Sequence, residues 1–152
     1  MNYWMTVHWP PRQGEENEEW RYYVFLPDGR EEAGRGIQSG DLVFIYESKT
    51  GRQIRGHEYD YIEGRQGIIA LVRVTSPLQG PQGKPEKYED GSEIWWAWRA
   101  TTKLIRRCSI PREDVCSVFD YSENYNFRGF GDHRSGLKRL TREQFEALSS
   151  SC

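Results

Sequence analysis

The sequence predicts an α+β fold: a small, curved, mostly antiparallel sheet or barrel of five strands, with short helices plugging its ends. Three observations predict it. Five segments rich in β-branched and aromatic residues are separated by turn-forming or charged stretches. Helix-start chemistry occurs in only two places, near residue 111 and at Thr141. Strand and helix patterns do not alternate and no internal repeat is present, which argues against a doubly wound nucleotide-binding sheet.

Residues 2–9 alternate and are aromatic and β-branched, a first strand stopped by Pro10-Pro11. Residues 13–19 are polar and acidic, a loop or short helical turn. Residues 20–26, Trp-Arg-Tyr-Tyr-Val-Phe-Leu, read as the second strand, closed by the turn Pro27-Asp28-Gly29-Arg30. After an irregular stretch, Gly40-Asp41 turns the chain into a third strand, 42–47. Residues 49–66 are charged and glycine-punctuated, a loop. The apolar run at 67–76 predicts a fourth strand buried on both faces. Residues 77–91 open with prolines and glycines and continue with charge, a long surface excursion. Residues 94–107 form the longest strand candidate. Pro111, followed by Glu113 and Asp114, opens a short helix over 109–115. Residues 121–137 are aromatic, basic and glycine-rich without a period. Thr141 and Gln144 form a capping box for a closing helix, 141–148, with Phe145 and Leu148 on its apolar face.

A chain of 152 residues is one domain's worth, here 1–148 followed by a frayed end at 149–152. The net charge of −2 excludes a protein that coats nucleic acid by bulk charge. The charge is uneven, however. Residues 1–98 hold 11 basic and 16 acidic side chains, and residues 99–152 hold 10 basic and 7 acidic, so the C-terminal third offers a local phosphate-binding face. The alternative for these cations is an ordinary solvated surface. Three cysteines with no signal-peptide pattern predict reduced thiols and a cytoplasmic location. No stretch approaches the roughly 20 apolar residues of a membrane span.

Catalytic chemistry is sparse. No P-loop is present, and the glycine pairs Gly34-Arg35-Gly36 and Gly129-Phe130-Gly131 lack a strand-to-helix context, so they read as turns. His8, His57 and His133 stand alone, and Cys108 and Cys116 are too far apart for a zinc knuckle and read as core fillers. The carboxylate pairs Asp41 with Glu47 and Glu58 with Asp60 are what chance gives among 23 acids. The expectation is no catalytic residue, no metal and no cofactor.

What remains is aromatic. Tyrosines and tryptophans recur at strand ends with arginines beside them, as in Trp20-Arg21 and Trp98-Arg99. Such rings stack on flat heterocycles at about 1–3 kcal/mol per base. The competing reading is core packing, because strands favour these residues anyway.

Four blocks in order resemble the EVE domain of the PUA-like superfamily, related to YTH and ASCH domains. They are Tyr3-Trp4-Met5; Gly36-Ile37-Gln38-Ser39-Gly40-Asp41-Leu42-Val43-Phe44-Ile45-Tyr46-Glu47-Ser48; Gly67-Ile68-Ile69-Ala70-Leu71-Val72-Arg73-Val74; and Leu137-Lys138-Arg139-Leu140-Thr141-Arg142-Glu143-Gln144-Phe145. After the first block the chain departs from the family's Ser-x-Pro, reading Val7-His8-Trp9-Pro10-Pro11. The resemblance implies a twisted mixed or antiparallel β-barrel of five to six strands with short flanking helices. It implies a binding module that flips a modified base, a modified cytosine such as 5-methylcytosine in DNA, into an aromatic pocket. Trp9, Trp20 and Trp96 would supply the rings and Tyr46, Glu47 and Ser48 the floor. Arg12, Arg128, Arg134, Lys138, Arg139 and Arg142 would hold the flanking phosphates. The expected partner is nucleic acid, DNA ahead of RNA, with a nuclease as a further one. The alternatives are an RNA-binding module of the same fold and a small enzyme acting on nucleic acid.

Overall fold

The structure, a computed structural model, describes residues 1–51, 61–88 and 90–152. Of the loop expected over 49–66, residues 52–60 with His57, Glu58 and Asp60 lie outside the described residues, as does Glu89 of the excursion over 77–91.

A five-stranded sheet carries the fold. Its strands are β1 (Tyr3–His8), β3 (Leu42–Glu47), β4 (Gly67–Val74), β8 (Thr102–Pro111) and β9 (Leu137–Leu140). Their order is β8-β4-β3-β1-β9; β1 runs parallel to β3 and every other pair is antiparallel. Two ribbons accompany it: β2 (Val24–Leu26) pairs with β7 (Trp98–Ala100), and β5 (Glu86–Lys87) pairs with β6 (Glu93–Ile94). Helices α1 (Arg112–Phe119) and α2 (Arg142–Ser151) complete the α+β arrangement.

Strand alternation divides the core in two. Met5, Phe44, Tyr46 and Leu71 face one side, under α1, α2 and the aromatic segment containing Phe127 and Phe130. Trp4, Val43, Ile45, Ala70 and Val72 face the other, under the β2–β7 ribbon and Ile37. The central strands β3 and β4 are therefore apolar on both faces, as their sequences require.

Local chemistry fixes two junctions as expected. The Thr141 hydroxyl accepts from the Gln144 amide (3.1 Å) and the Gln144 side chain accepts from the Thr141 amide (3.0 Å), closing the capping box of α2. This aims Phe145 at Tyr3, with ring centroids 4.1 Å apart. At the start of β3, Gly40 takes a φ of 97°, open to glycine at little cost, and delivers Asp41 into the interior. The Asp41 carboxylate accepts from the amides of Asn2 and Gln38 and from the Trp4 indole, each at 3.0 Å. Asp41→Ala is expected to orphan these donors and lower stability by about 3 kcal/mol or more. Urea unfolding would show this as a reduced midpoint at unchanged slope, and a shift near zero would mean that water replaces the carboxylate.

Several expectations are corrected. The segment 20–26 is not one strand: Glu19–Tyr22 forms a 3₁₀ turn and only Val24–Leu26 pairs. The Arg21–Glu47 ion pair pins this turn to the end of β3, and tertiary context overrides aromatic β-propensity. The long strand over 94–107 is broken into β6, β7 and β8, because Trp95 turns aside to donate to the Gln82 carbonyl and Ala97 is buried. β8 then runs on to Pro111, so α1 starts at Arg112 rather than near 109. The last residues do not fray: α2 continues to Ser151, and Cys152 is disulfide-bonded to Cys108, with Cα atoms 4.9 Å apart. Three reduced thiols were expected; only Cys116 is free, buried in the core. The packing of α2 on β8 joins cysteines 44 residues apart, a proximity invisible in the sequence, and the thiol argument for a cytoplasmic location lapses.

Candidate functional site

A cavity of about 440 Å³ opens where β1 ends. It is lined by His8, Trp9 and Arg12 from the exit of β1, by Trp20 and Arg21 from the 3₁₀ turn, by Phe25 of β2, and by Tyr61, Trp96 and Arg99. Pro10 and Pro11 hold the exit of β1 extended, and Arg12 forms a β-bridge with Tyr61. Trp9 packs edge-on against Trp96 (centroids 5.6 Å, 89°) and against Tyr61 (6.3 Å, 77°). Trp20 and Trp96 remain 41% and 37% exposed. Indoles left that open beside a cavity are ring faces available to a ligand.

The polar groups are fixed from behind. Glu47 is buried and uses both oxygens: one binds the Arg21 guanidinium at 2.8 Å, the other accepts from the Arg65 amide at 3.0 Å. Arg21 also donates to the Glu16 carbonyl (3.1 Å), so the turn carrying Trp20 is held at two points. Arg12 pairs with Glu86 at 2.8 Å and lies over the Tyr61 ring, 5.6 Å from its centroid. Arg99 is exposed and forms no ion pair among the described residues.

His8 lies at the back of this cavity. Burial lowers its pKa to about 4, outweighing the Arg21 and Tyr23 carbonyls that favour the protonated ring, and the Arg21 charge adds to the lowering. The ring is therefore neutral near pH 7. Its Nδ1 lies 3.1 Å from the Arg21 carbonyl oxygen, which assigns the proton there, and Nε2 is buried with no hydrogen-bond partner among the described residues. As pH falls below 6.5 the unfolded chain takes up the His8 proton before the native state does. Stability present above pH 6.5 is thus lost on the way to pH 4, by up to about 3 kcal/mol. Chemical denaturation across this range is expected to show that acid limb in the wild type and a flatter one in His8→Gln. Equal limbs would place the proton uptake elsewhere.

The expected floor is only partly brought together with the rings. Trp9, Trp20, Trp96 and Arg12 meet at the cavity. Glu47 and Ser48 stand behind its wall, where the Ser48 hydroxyl donates to the Thr50 carbonyl at 2.9 Å and its amide donates to the His8 carbonyl at 2.9 Å. Tyr46 is not at the cavity. It is 2% exposed on the helix-covered face, stacked on Phe127 with centroids 4.2 Å apart, and burial pushes its hydroxyl pKa up to about 12. Alternation along β3 sends it away from its neighbour Glu47.

The basic set does not form one face either. β9 runs antiparallel to β1, with Leu137 opposite Thr6 and Arg139 opposite Trp4. Arg128 and Arg134 are exposed on the segment leading into β9, and Gly136, two residues further on, accepts from the Val7 amide (2.8 Å) at the cavity end of β1. Lys138 lies opposite Met5, mid-strand. Arg139 donates to Asn2, and Arg142 pairs with Glu146, both at the far end of β1. His8, Arg21, Tyr61 and Arg99 were not anticipated as site residues. Arg21 and Arg99 stood out in the sequence only as neighbours of Trp20 and Trp98, His8 continues the alternation of Trp4 and Thr6, and Tyr61 carried no signal.

Among the described residues no cluster of His, Cys, Asp and Glu could hold a metal ion, and no helix is long and apolar enough to cross a membrane.

No protein-family model and no curated protein sequence matches this chain. Solved structures do match over its whole length. Human THYN1, in complex with DNA containing 5-methylcytosine, is 16% identical, with 99% of this chain and 96% of that one aligned at a TM-score of 0.56. A Leishmania major protein is 13% identical over 99% and 93% of the two chains (TM-score 0.55). A Rhodopseudomonas palustris protein is 10% identical over 99% and 92% (TM-score 0.53). These likenesses show the fold alone: the α+β arrangement described above is shared with these structures.

Proposed function

We propose that this chain is a nucleic-acid-binding module whose cavity at the end of β1 receives a single base extruded from a DNA duplex, a modified cytosine being the favoured ligand. The observation that carries the reading is the convergence of Trp9, Trp20 and Trp96 on a cavity of about 440 Å³. That volume lies within the range of roughly 300–1,000 Å³ found for small-ligand pockets. The sharing of a fold with THYN1, which is described in complex with 5-methylcytosine-containing DNA, supports the same reading.

Extrusion costs a few kcal/mol, and stacking recovers about 1–3 kcal/mol per base. Trp20 and Trp96 present the ring faces, and Trp9 braces Trp96 edge-on. The aromatic rings of the lining select a methyl-bearing pyrimidine modestly, as one carbon allows. Arg99 at the mouth, with Arg128 and Arg134 on the segment leading into β9, takes the phosphates, so affinity falls as salt rises.

The test is fluorescence anisotropy at two salt concentrations, using a duplex with one 5-methylcytosine, the same duplex unmodified, and an RNA of the same sequence. Tighter binding of the modified duplex is expected. Equal affinity for both duplexes removes the modified-base reading, preference for RNA replaces it with the RNA-binding one, and no binding removes the module itself.

A further inference from the structure

We infer that His8 decides which pyrimidine the cavity accepts, selecting one that presents an exocyclic amino group and rejecting one that presents a carbonyl in the same place. The inference rests on the base-binding reading above and adds the residue and the edge that would be read.

Three observations carry it. His8 is among the residues that line the cavity, next to Trp9 in the chain. The other ring nitrogen is already engaged: Nδ1 faces the Arg21 carbonyl at 3.1 Å, and Arg21 is itself locked to Glu47 at 2.8 Å, so the ring does not rotate freely. Nε2 has lost its water and has no hydrogen-bond partner among the described residues. A buried polar atom in that state is costly unless something satisfies it.

The chemistry of the missing partner follows from the tautomer. A neutral imidazole that donates through Nδ1 offers a lone pair at Nε2 and accepts there. The cytosine ring carries a donor at its 4-position, the amino group; thymine and uracil carry an acceptor there. The amino group completes His8, whereas a 4-carbonyl sets two lone pairs against each other. Rejection by unpaired polar groups discriminates more strongly than the fit of a methyl group does. The first strand therefore supplies specificity and the tryptophans supply affinity, and the departure Val7-His8-Trp9 in the sequence becomes the part of the chain that reads the ligand.

The experiment uses single-stranded oligonucleotides that differ at one base: 5-methylcytosine, thymine, or 5-methyl-2-pyrimidinone. Thymine keeps the ring shape and the methyl group of 5-methylcytosine, and the pyrimidinone lacks any 4-substituent. Wild-type protein is expected to bind the 5-methylcytosine strand about 10- to 100-fold more tightly than the thymine strand, with the pyrimidinone between them. His8→Phe, which keeps a flat ring in the wall, is expected to bring the three affinities within a few-fold of one another. If the wild type prefers 5-methylcytosine and His8→Phe, shown folded by circular dichroism, keeps that preference, His8 is not the reader and the cavity reading stands. If the wild type does not distinguish the amino base from the other two, the inference fails whatever the variant does. If no strand binds above an oligonucleotide lacking the test base, the base-binding reading fails and takes this one with it.

Discussion

Trp20→Ala is expected to weaken binding of the 5-methylcytosine duplex by about 5- to 100-fold, the loss of one stacking platform. The melting temperature should move by only a few degrees. The two halves of this expectation come from the same geometry. Trp20 lies on a 3₁₀ turn, 41% exposed, with no ring contact among the described residues, so little of the core depends on it. Its turn is held instead by Arg21, through Glu47 and the Glu16 carbonyl. Trp9 behaves differently: its ring is the support for both Trp96 and Tyr61, and Trp9→Ala should cost stability as well as affinity. Affinity from titration and melting temperature from calorimetry separate the two. A Trp20→Ala protein that binds normally would mean the indole is a surface residue beside the site. One that unfolds would mean it belongs to the core.

What the sequence made legible was local. The turn at Gly40-Asp41, the apolar runs of β3 and β4 and the capping box at Thr141 and Gln144 are each decided by residues within a few positions of one another, and each appears as read. What failed needed distant partners. Tyr46 and Glu47 are adjacent in sequence but occupy opposite faces, and only the register of β3 against β1, with Tyr46 beside Val7 and Glu47 beside His8, decides which side holds the cavity. The basic residues from Arg128 to Arg142 look like one patch because they are close in sequence. A strand rises about 3.3 Å per residue, so β9 carries them apart along the sheet. Tyr61 reaches Trp9 and Arg12 across a long connection that gives no hint of it, and the Cys108–Cys152 bond depends on how α2 docks. His8 is the instructive case. An isolated histidine carries no signal by itself, yet its place two residues after Thr6 puts it on the same face as Trp4.

Glu47→Ala is expected to have the largest effect on stability of any change near the cavity, about 3–5 kcal/mol, the cost of breaking a buried ion pair from one side. For a domain of this size that lowers the melting temperature by roughly 10 °C or more. Glu47 is 4% exposed, and its removal strands the Arg21 guanidinium and the Arg65 amide together. The reason for the loss is an uncompensated charge rather than a lost attraction, and that distinction is testable. Replacing both partners, in Arg21→Met with Glu47→Leu, removes the charge and keeps the volume, so most of the stability should return. Binding should not return with it, because the double variant no longer pins the turn that positions Trp20, nor the carbonyl that orients His8. Urea midpoints and anisotropy titrations on the two single variants and the double one measure both quantities. A double variant as unstable as Glu47→Ala would show that the packing of the glutamate, not its pairing, holds this end of the sheet. A double variant that recovers full affinity would show that the turn keeps its place without the ion pair.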